Sequence, residues 1–194
     1  MIFRKKLDPS SASFFEQKYR KTADPWNFEK SQYEQARYDA IIAALAGRRY
    51  HKAFEPGCSV GALTAKLLTV CDQVEAIDFA ASAIATARQR NPDPRAHFQV
   101  MSLPERLPLL GFDLIVLSEI GYYFTAEQWS EYVDSIVSTS APGSTLIAAH
   151  WLGVSQDHRL SGDEVHATLR AHPNLHLQHE ERHPAFRLDR LERS

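Results

Sequence analysis

Between Phe54 and Gly61 the chain reads Phe-Glu-Pro-Gly-Cys-Ser-Val-Gly, a bend of small residues between an apolar stretch and a helical one. Glycine belongs where a backbone turns sharply and something must approach it closely. Lys52-Ala53-Phe54 enters the bend as a strand ending at Glu55-Pro56-Gly57, and Ala62 to Cys71 leaves it as a helix. Strand, glycine turn and helix in that order form the opening unit of a parallel sheet. In such sheets a ligand sits at the carboxyl ends of the strands.

The same alternation continues downstream. Gln73–Asp78 reads as a second strand, Ala81–Arg90 as a helix stopped by Asn91-Pro92, and His97–Met101 as a third strand. Phe112–Ser118 is a continuous apolar run, which suits a central strand buried on both faces. Thr125 and Gln128 form a capping box for a helix reaching about Ser140. Ser144–His150 is a fifth strand, Asp163–Arg170 a helix, and 174–181 with 185–193 a hairpin broken at His183-Pro184. Ahead of the bend the chain reads as helical. Asp8-Pro9 suits a helix start, Ser13 and Glu16 repeat the capping pattern, and Asp24-Pro25-Trp26 breaks it. Ser31 and Glu34 cap a further helix carrying Tyr38, Ile41, Ile42 and Leu45 at helical spacing and ending at Gly47. The expectation is an α/β, doubly wound, Rossmann-like seven-stranded sheet with N-terminal helices and a C-terminal antiparallel hairpin. One domain over 1–194 is expected, with 1–47 a helical lid and 48–194 the core.

The 194 residues are 44% hydrophobic with a formal net charge of -2, which argues against DNA or RNA as a partner. No apolar run is long enough to span a membrane, and no apolar stretch follows the basic N-terminus as in a secretory signal. Cys58 and Cys71 fit no zinc spacing and read as reduced residues of a cytoplasmic protein. The oligomeric state is not legible.

The bend lacks the third glycine of a dinucleotide fingerprint; Ser59 stands at a glycine position of that frame. Its spacing is Gly57-x-x-x-Gly61, led by Glu55. S-adenosylmethionine (SAM) suits that pattern better, because it has no pyrophosphate but carries an ammonium, a carboxylate and a sulfonium. Asp78, seventeen residues after Gly61, stands where an acid can hold a ribose diol. NAD enzymes use the same device, so Asp78 alone does not discriminate.

Taken together, DPWNFEKSQYEQARYD, FEPGCSVGALTAKL, FDLIVLSEIGYYF, APGSTLIAAHW and LSGDEVHATL resemble the NodS-like (nodulation protein S) SAM-dependent methyltransferases, from about Asp24 to the C-terminus. NodS N-methylates an amino sugar, so the resemblance implies N-methylation of a small amine or amino-sugar acceptor. The alternatives are O-methylation of another small metabolite and SAM binding without catalysis. By resemblance Trp26, Tyr33, Arg37 and Tyr38 lie over the cofactor cleft, and Glu55, Gly57, Cys58, Ser59 and Gly61 form its loop. Asp78 and Phe79 hold ribose and adenine, and Ser118 and Glu119 flank the methionine part. Met101, Ser102 and Leu103 fall at the adenine, with Ser102 replacing the acid usual there. Gly121 stands where a larger apolar residue is usual, which implies a wider acceptor pocket.

An amine must be neutral to attack, so a base near it is expected. Glu119 and His150, at the ends of the fourth and fifth strands, are the catalytic candidates. Tyr122, Tyr123 and Trp151 suit substrate contacts, and the resemblance adds His166. His158 and His166 flank what reads as a Gly162-Asp163-Glu164 turn, with surface capping the plainer role for both. His172, His176, His179 and His183 fall on both faces of the terminal hairpin, so no metal site is expected.

Overall fold

A computed structural model describes residues 12–103 and 111–194; the Asp8-Pro9 helix start and Pro104 lie outside the described residues. Seven strands form one sheet: β1 (Tyr50–Pro56), β2 (Cys71–Asp78), β3 (Ala96–Val100), β4 (Leu114–Ser118), β5 (Thr145–Trp151), β6 (Leu175–Arg182) and β7 (Phe186–Arg193). Six helices accompany them: α1 (Ala12–Lys21), α2 (Gln32–Ala44), α3 (Ala62–Leu67), α4 (Ala81–Arg90), α5 (Ala126–Thr139) and α6 (Gly162–Ala171). A single 3-10 turn spans Gly121–Tyr123. The strand order is β3-β2-β1-β4-β5-β7-β6. β1 to β5 are mutually parallel, and β7 runs antiparallel between β5 and β6. The doubly wound sheet and its closing hairpin are thus present, with β6 at the outer edge.

Alternation along β4 and β5 feeds two cores. Leu114, Val116, Ile147 and Ala149 face Tyr38 and Ile41 of α2 and Leu45 just beyond it, with Leu63 and Leu67 of α3 in the same layer. Ile115, Leu117, Leu146 and Ala148 face Trp129, Tyr132, Val133 and Ile136 of α5 and Val165 and Leu169 of α6. A third cluster joins Phe15 and Tyr19 of α1 to Val60, Ala80 and Ala83, with Trp26, Phe28 and Phe79 against it.

Several element ends differ from the sequence reading, each for a local reason. Ser13 and Glu16 lie inside α1 and do not cap it. Glu16 instead accepts from the Ser82 N–H and hydroxyl at 3.2 and 2.6 Å. It thereby supplies α4 with the acceptor that Ala80, at the cap position, lacks. Ser31 does cap α2, but the Glu34 carboxylate turns away to Arg37. α2 ends at Ala44, because Ala46 and Gly47 both adopt left-handed backbone. α3 stops at Leu67 so that Cys71 can pair with Tyr50 in the sheet. Gly162 opens α6 under a Ser161–Glu164 capping box, so the expected turn there is the first turn of a helix.

The strand order reverses between β1 and β4, which opens a crevice beyond their carboxyl ends. Gly57 makes the bend at that point, with φ +75° and a phantom Cβ only 2.4 Å from Ile120 Cγ2. Gly57→Ala is expected to lower stability by roughly 1–2 kcal/mol for the left-handed backbone alone, before any clash. Urea unfolding checks this; an unchanged midpoint would contradict it.

Candidate functional site

A cleft of about 680 Å³ lies over the carboxyl ends of β1, β2, β4 and β5, within the range of small-molecule sites. Its floor is the bend. The N–H groups of Gly57 and Cys58 both donate to the Ile77 carbonyl, at 2.7 and 2.9 Å, which lashes the loop to β2. Ser59 is left-handed at φ 50°, and its N–H donates to Asp78 Oδ2 at 3.1 Å. Asp78 Oδ1 accepts from the Ala80 N–H at 2.8 Å. Each carboxylate oxygen thus keeps a lone pair for a ligand while the side chain is fixed. Burial pushes the Asp78 carboxyl up to about 6, against the two backbone bonds. Gly61 does not line the cleft; it lies behind the wall, where a Cβ would meet Asn91 Nδ2 at 2.6 Å and Ala87 Cβ at 3.2 Å.

Glu55 ends β1 in the cleft wall, 3% exposed. Its Oε2 accepts from the Thr64 hydroxyl at 2.5 Å, and its Oε1 has no partner among the described residues. Burial drives its pKa to about 8, with the Thr64 bond opposing. A buried acid with one free oxygen is a seat for a cation. The Ser118 Oγ and the Tyr33 hydroxyl are buried in the same wall without a hydrogen-bond partner among the described residues. Phe79, Met101 and Leu103 add apolar lining beside Ser102.

The N-terminal segment closes one side. Tyr19 Oη lies 2.5 Å from Ser59 Oγ. Phe15 stacks on Trp26 (5.8 Å, 28°), Trp26 on Phe28 (5.7 Å, 29°), and Phe15 meets Phe79 and Tyr123 edge-on. Trp26, Tyr33 and Tyr38 line the cleft, whereas Arg37 lies behind the wall, 1% exposed. Its guanidinium pairs with Glu34 and lies 2.6 Å from Glu119 Oε1, between the rings of Tyr33 and Tyr38. Burial lowers the Arg37 pKa, but Glu119 and then Glu34 more than offset this, so it stays charged.

Glu119, left-handed at φ 57°, also accepts from the Trp151 N–H (2.7 Å) and the Tyr122 hydroxyl (2.6 Å). Its carboxylate faces the cleft but is occupied by two donors and by the Arg37 cation. That makes it a tie between β4, β5 and α2, and not the free base expected.

His150 is corrected more sharply. It is fully buried and absent from the cleft wall. Its Nε2 accepts from the Gly121 N–H at 3.1 Å, and its Nδ1 lies 3.2 Å from His166 Nε2. His166 is equally buried, with Nδ1 2.9 Å from Asp189 Oδ2, and does not line the cleft. The Gly121 donor makes His150 Nε2 an acceptor, so neutral His150 carries its proton on Nδ1, toward His166. Burial, then His166, hold His150 well below the usual histidine range and therefore neutral. Nor does Gly121 widen the pocket. A Cβ there would meet Val165 Cγ1 at 2.4 Å, so its small size serves α6 packing. Tyr122, Tyr123 and Trp151 do line the cleft.

Residues missed by the sequence reading also stand in the wall: Phe15, Tyr19 and Phe28 of the N-terminal cover, and Asp157 of the loop after β5; His158 of that loop, which reads from sequence as a surface cap, stands there too. Phe15 and Tyr19 carry an apolar spacing along α1; the loop carries no periodic signal.

Residues 11–158 match the family described as Nodulation protein S (NodS). Nodulation protein S of Sinorhizobium fredii is 31% identical over 127 residues, covering 64% of this chain and 59% of that protein. The four curated relatives are each covered over 53–61% of their own length. Among solved structures, N-methyltransferase NodS from Bradyrhizobium japonicum in complex with S-adenosyl-L-homocysteine (SAH) superposes with a TM-score of 0.81 at 23% identity, over 94% of this chain and 98% of that one. A candidate methyltransferase from Pseudomonas syringae matches at 33% identity and a TM-score of 0.74, over 84% of this chain and all of that one. The fold is that of the SAM-dependent methyltransferases, and, with the family pattern running from α1 through the loop after β5, the chain belongs to the nodulation protein S family.

Proposed function

We propose that this protein is a SAM-dependent methyltransferase that N-methylates a small amine or amino sugar, with SAM seated on the Gly57 bend. The observation that carries this reading is the pairing of Glu55, buried with one free oxygen, and Asp78, held rigid by two backbone N–H groups, on either side of that bend. Glu55 Oε1 receives the amino-acid ammonium, Asp78 the ribose diol, and Phe79, Met101 and Leu103 the adenine. The orphaned Ser118 hydroxyl lies at the end of β4, beside the methionine part. Bound SAM supplies a methyl on a sulfonium, a leaving group that needs no acid. The chain's task is then alignment of the acceptor, which can supply much of the acceleration. Tyr122, Tyr123 and Trp151 form the acceptor end of the cleft, and Arg37 with Glu119 holds that wall in register. The chain acts as one domain with residues 1–47 as a lid, a reading supported by the Tyr19–Ser59 contact and the aromatic cluster over the bend. Two buried, unpaired cysteines favour the cytoplasm.

The test is thermal stabilisation by SAM, SAH and NAD, followed by labelled SAM with amine, amino-sugar and alcohol acceptors. SAM and SAH should stabilise, and label should pass to nitrogen. Label passing only to oxygen would move the reading to O-methylation, and binding with no transfer to any acceptor would leave a SAM-binding protein.

Glu55 adds a pH signature. With its pKa near 8, the acid is mostly protonated at neutral pH, and an ammonium at Oε1 draws the proton off. SAH affinity should therefore rise as pH climbs toward about 8 and then level, while Glu55→Gln binds more weakly and flatly over that range. For the protein alone the sign is opposite: neutral Glu55 is the form the fold favours, so its contribution shrinks as pH rises from 4.5 through about 8. Calorimetric titration at several pH values checks this; a flat wild-type profile would remove Glu55 from the site.

A further inference from the structure

The cleft wall does contain a histidine, and it is His158. Its ring lies flat on Tyr122, with centroids 3.7 Å apart at 16°, and meets Tyr123 and Trp151 edge-on at 5.5 and 6.0 Å. Neither ring nitrogen has a hydrogen-bond partner among the described residues. An imidazole fixed by stacking, with both nitrogens uncommitted in a ligand cleft, is set to exchange a proton with what binds there. Asp157 beside it also lines the cleft; one oxygen takes the Ser155 hydroxyl and the other has no described partner. Aromatic faces with a neighbouring carboxylate make a receptor for a cation.

We propose that His158 is the general base of the acceptor site, taking a proton from a substrate ammonium held by Asp157 and the rings of Tyr123 and Trp151. This rests on the methyltransferase reading and names the group that reading lacks. The ammonium gives one proton to the imidazole. The freed nitrogen lone pair forms the bond to the methyl carbon as the carbon–sulfur bond breaks, and that bonding pair leaves on the sulfur of SAH. The product is an N-methylammonium, and the proton on His158 passes to solvent.

The groups facing His158 agree with a neutral ring at rest. Asp157 on its own loop and Glu119 at the end of β4 raise its pKa, while burial lowers it further than they raise it. The Tyr122 and Tyr123 phenols are held neutral by burial. From β5, His150 is neutral, and Arg37 of α2 is neutralised by Glu34 and Glu119. Arg159 follows in the chain.

The experiment compares wild type, His158→Gln and His158→Ala with glucosamine as the acceptor. SAH affinity by calorimetry should be unchanged in all three, which separates this proposal from the cofactor reading: lost SAH binding in the wild type would sink that reading, and lost binding only in the variants would make His158 structural. The wild-type rate should hold across neutral pH. The His158→Gln rate should fall about tenfold for each pH unit below the amine's own pKa and recover above it. Added imidazole should partly restore His158→Ala. In the SAH-loaded wild type, the His158 ring signal in NMR, identified by its absence from the variants, should titrate below the ordinary histidine range. A rate loss equal at every pH, no loss at all, or a ring still protonated at neutral pH would overturn the proposal.

Discussion

Arg37→Met should destabilise the protein by about 3–5 kcal/mol, the usual consequence of removing one partner from a buried ionic cluster. Arg37 is 1% exposed and is the cation shared by Glu34 and Glu119. Without it the Glu34 and Glu119 carboxylates, part-buried in the cleft wall, lose the cation they share. Urea unfolding should show a lower midpoint with an unchanged slope. The deficit should shrink in acid, because Glu34, whose pKa burial raises, takes up a proton there and removes uncompensated charge. Arg37→Lys should recover only part of it, since an ammonium cannot span two carboxylates as a planar fork does. A loss under about 1 kcal/mol would mean the cluster is no more than a solvated pair.

Asp78→Ala should cost at least about a hundredfold in SAH affinity, since charge-assisted hydrogen bonds contribute roughly 1.5–3 kcal/mol each and a ribose diol makes two. The sheet should survive, as β2 pairs with β1 and β3 through backbone alone. Some of the loss will act through the loop, because the Ser59 and Ala80 N–H groups lose their acceptor. Asp78→Asn separates the two effects. It keeps one acceptor oxygen and should lie between wild type and alanine. Calorimetry with circular dichroism checks both; unchanged affinity in Asp78→Ala would displace the ribose from this acid.

What was legible in the chain follows from how local each interaction is. The bend, Glu55 and Asp78 belong to consecutive strand-turn-helix units, where spacing alone sets the geometry. The capping box at Thr125–Gln128 is equally local. What was hidden depends on long-range pairing. Glu16 is 66 residues from the Ser82 it caps, so its pattern with Ser13 read as a cap of its own helix. Arg37 meets Glu119 only once α2 packs over β4 and β5. The sequence puts His150 near the end of β5 but does not show the face it takes: it shares parity with Ala148, buried against α5 and α6, and stays out of the cleft that Trp151 lines. His158 lies in an irregular loop, and only the folded stack on Tyr122 distinguishes it from a surface residue.

The central claim is that the Gly57 bend, with Glu55 and Asp78, seats a sulfonium nucleotide and not a pyrophosphate. Calorimetric titration of the wild-type protein with SAH and, separately, with NAD tests it most directly. The account predicts saturable SAH binding that Asp78→Ala weakens at least about a hundredfold, and no heat from NAD. Saturable NAD binding with none for SAH would contradict it.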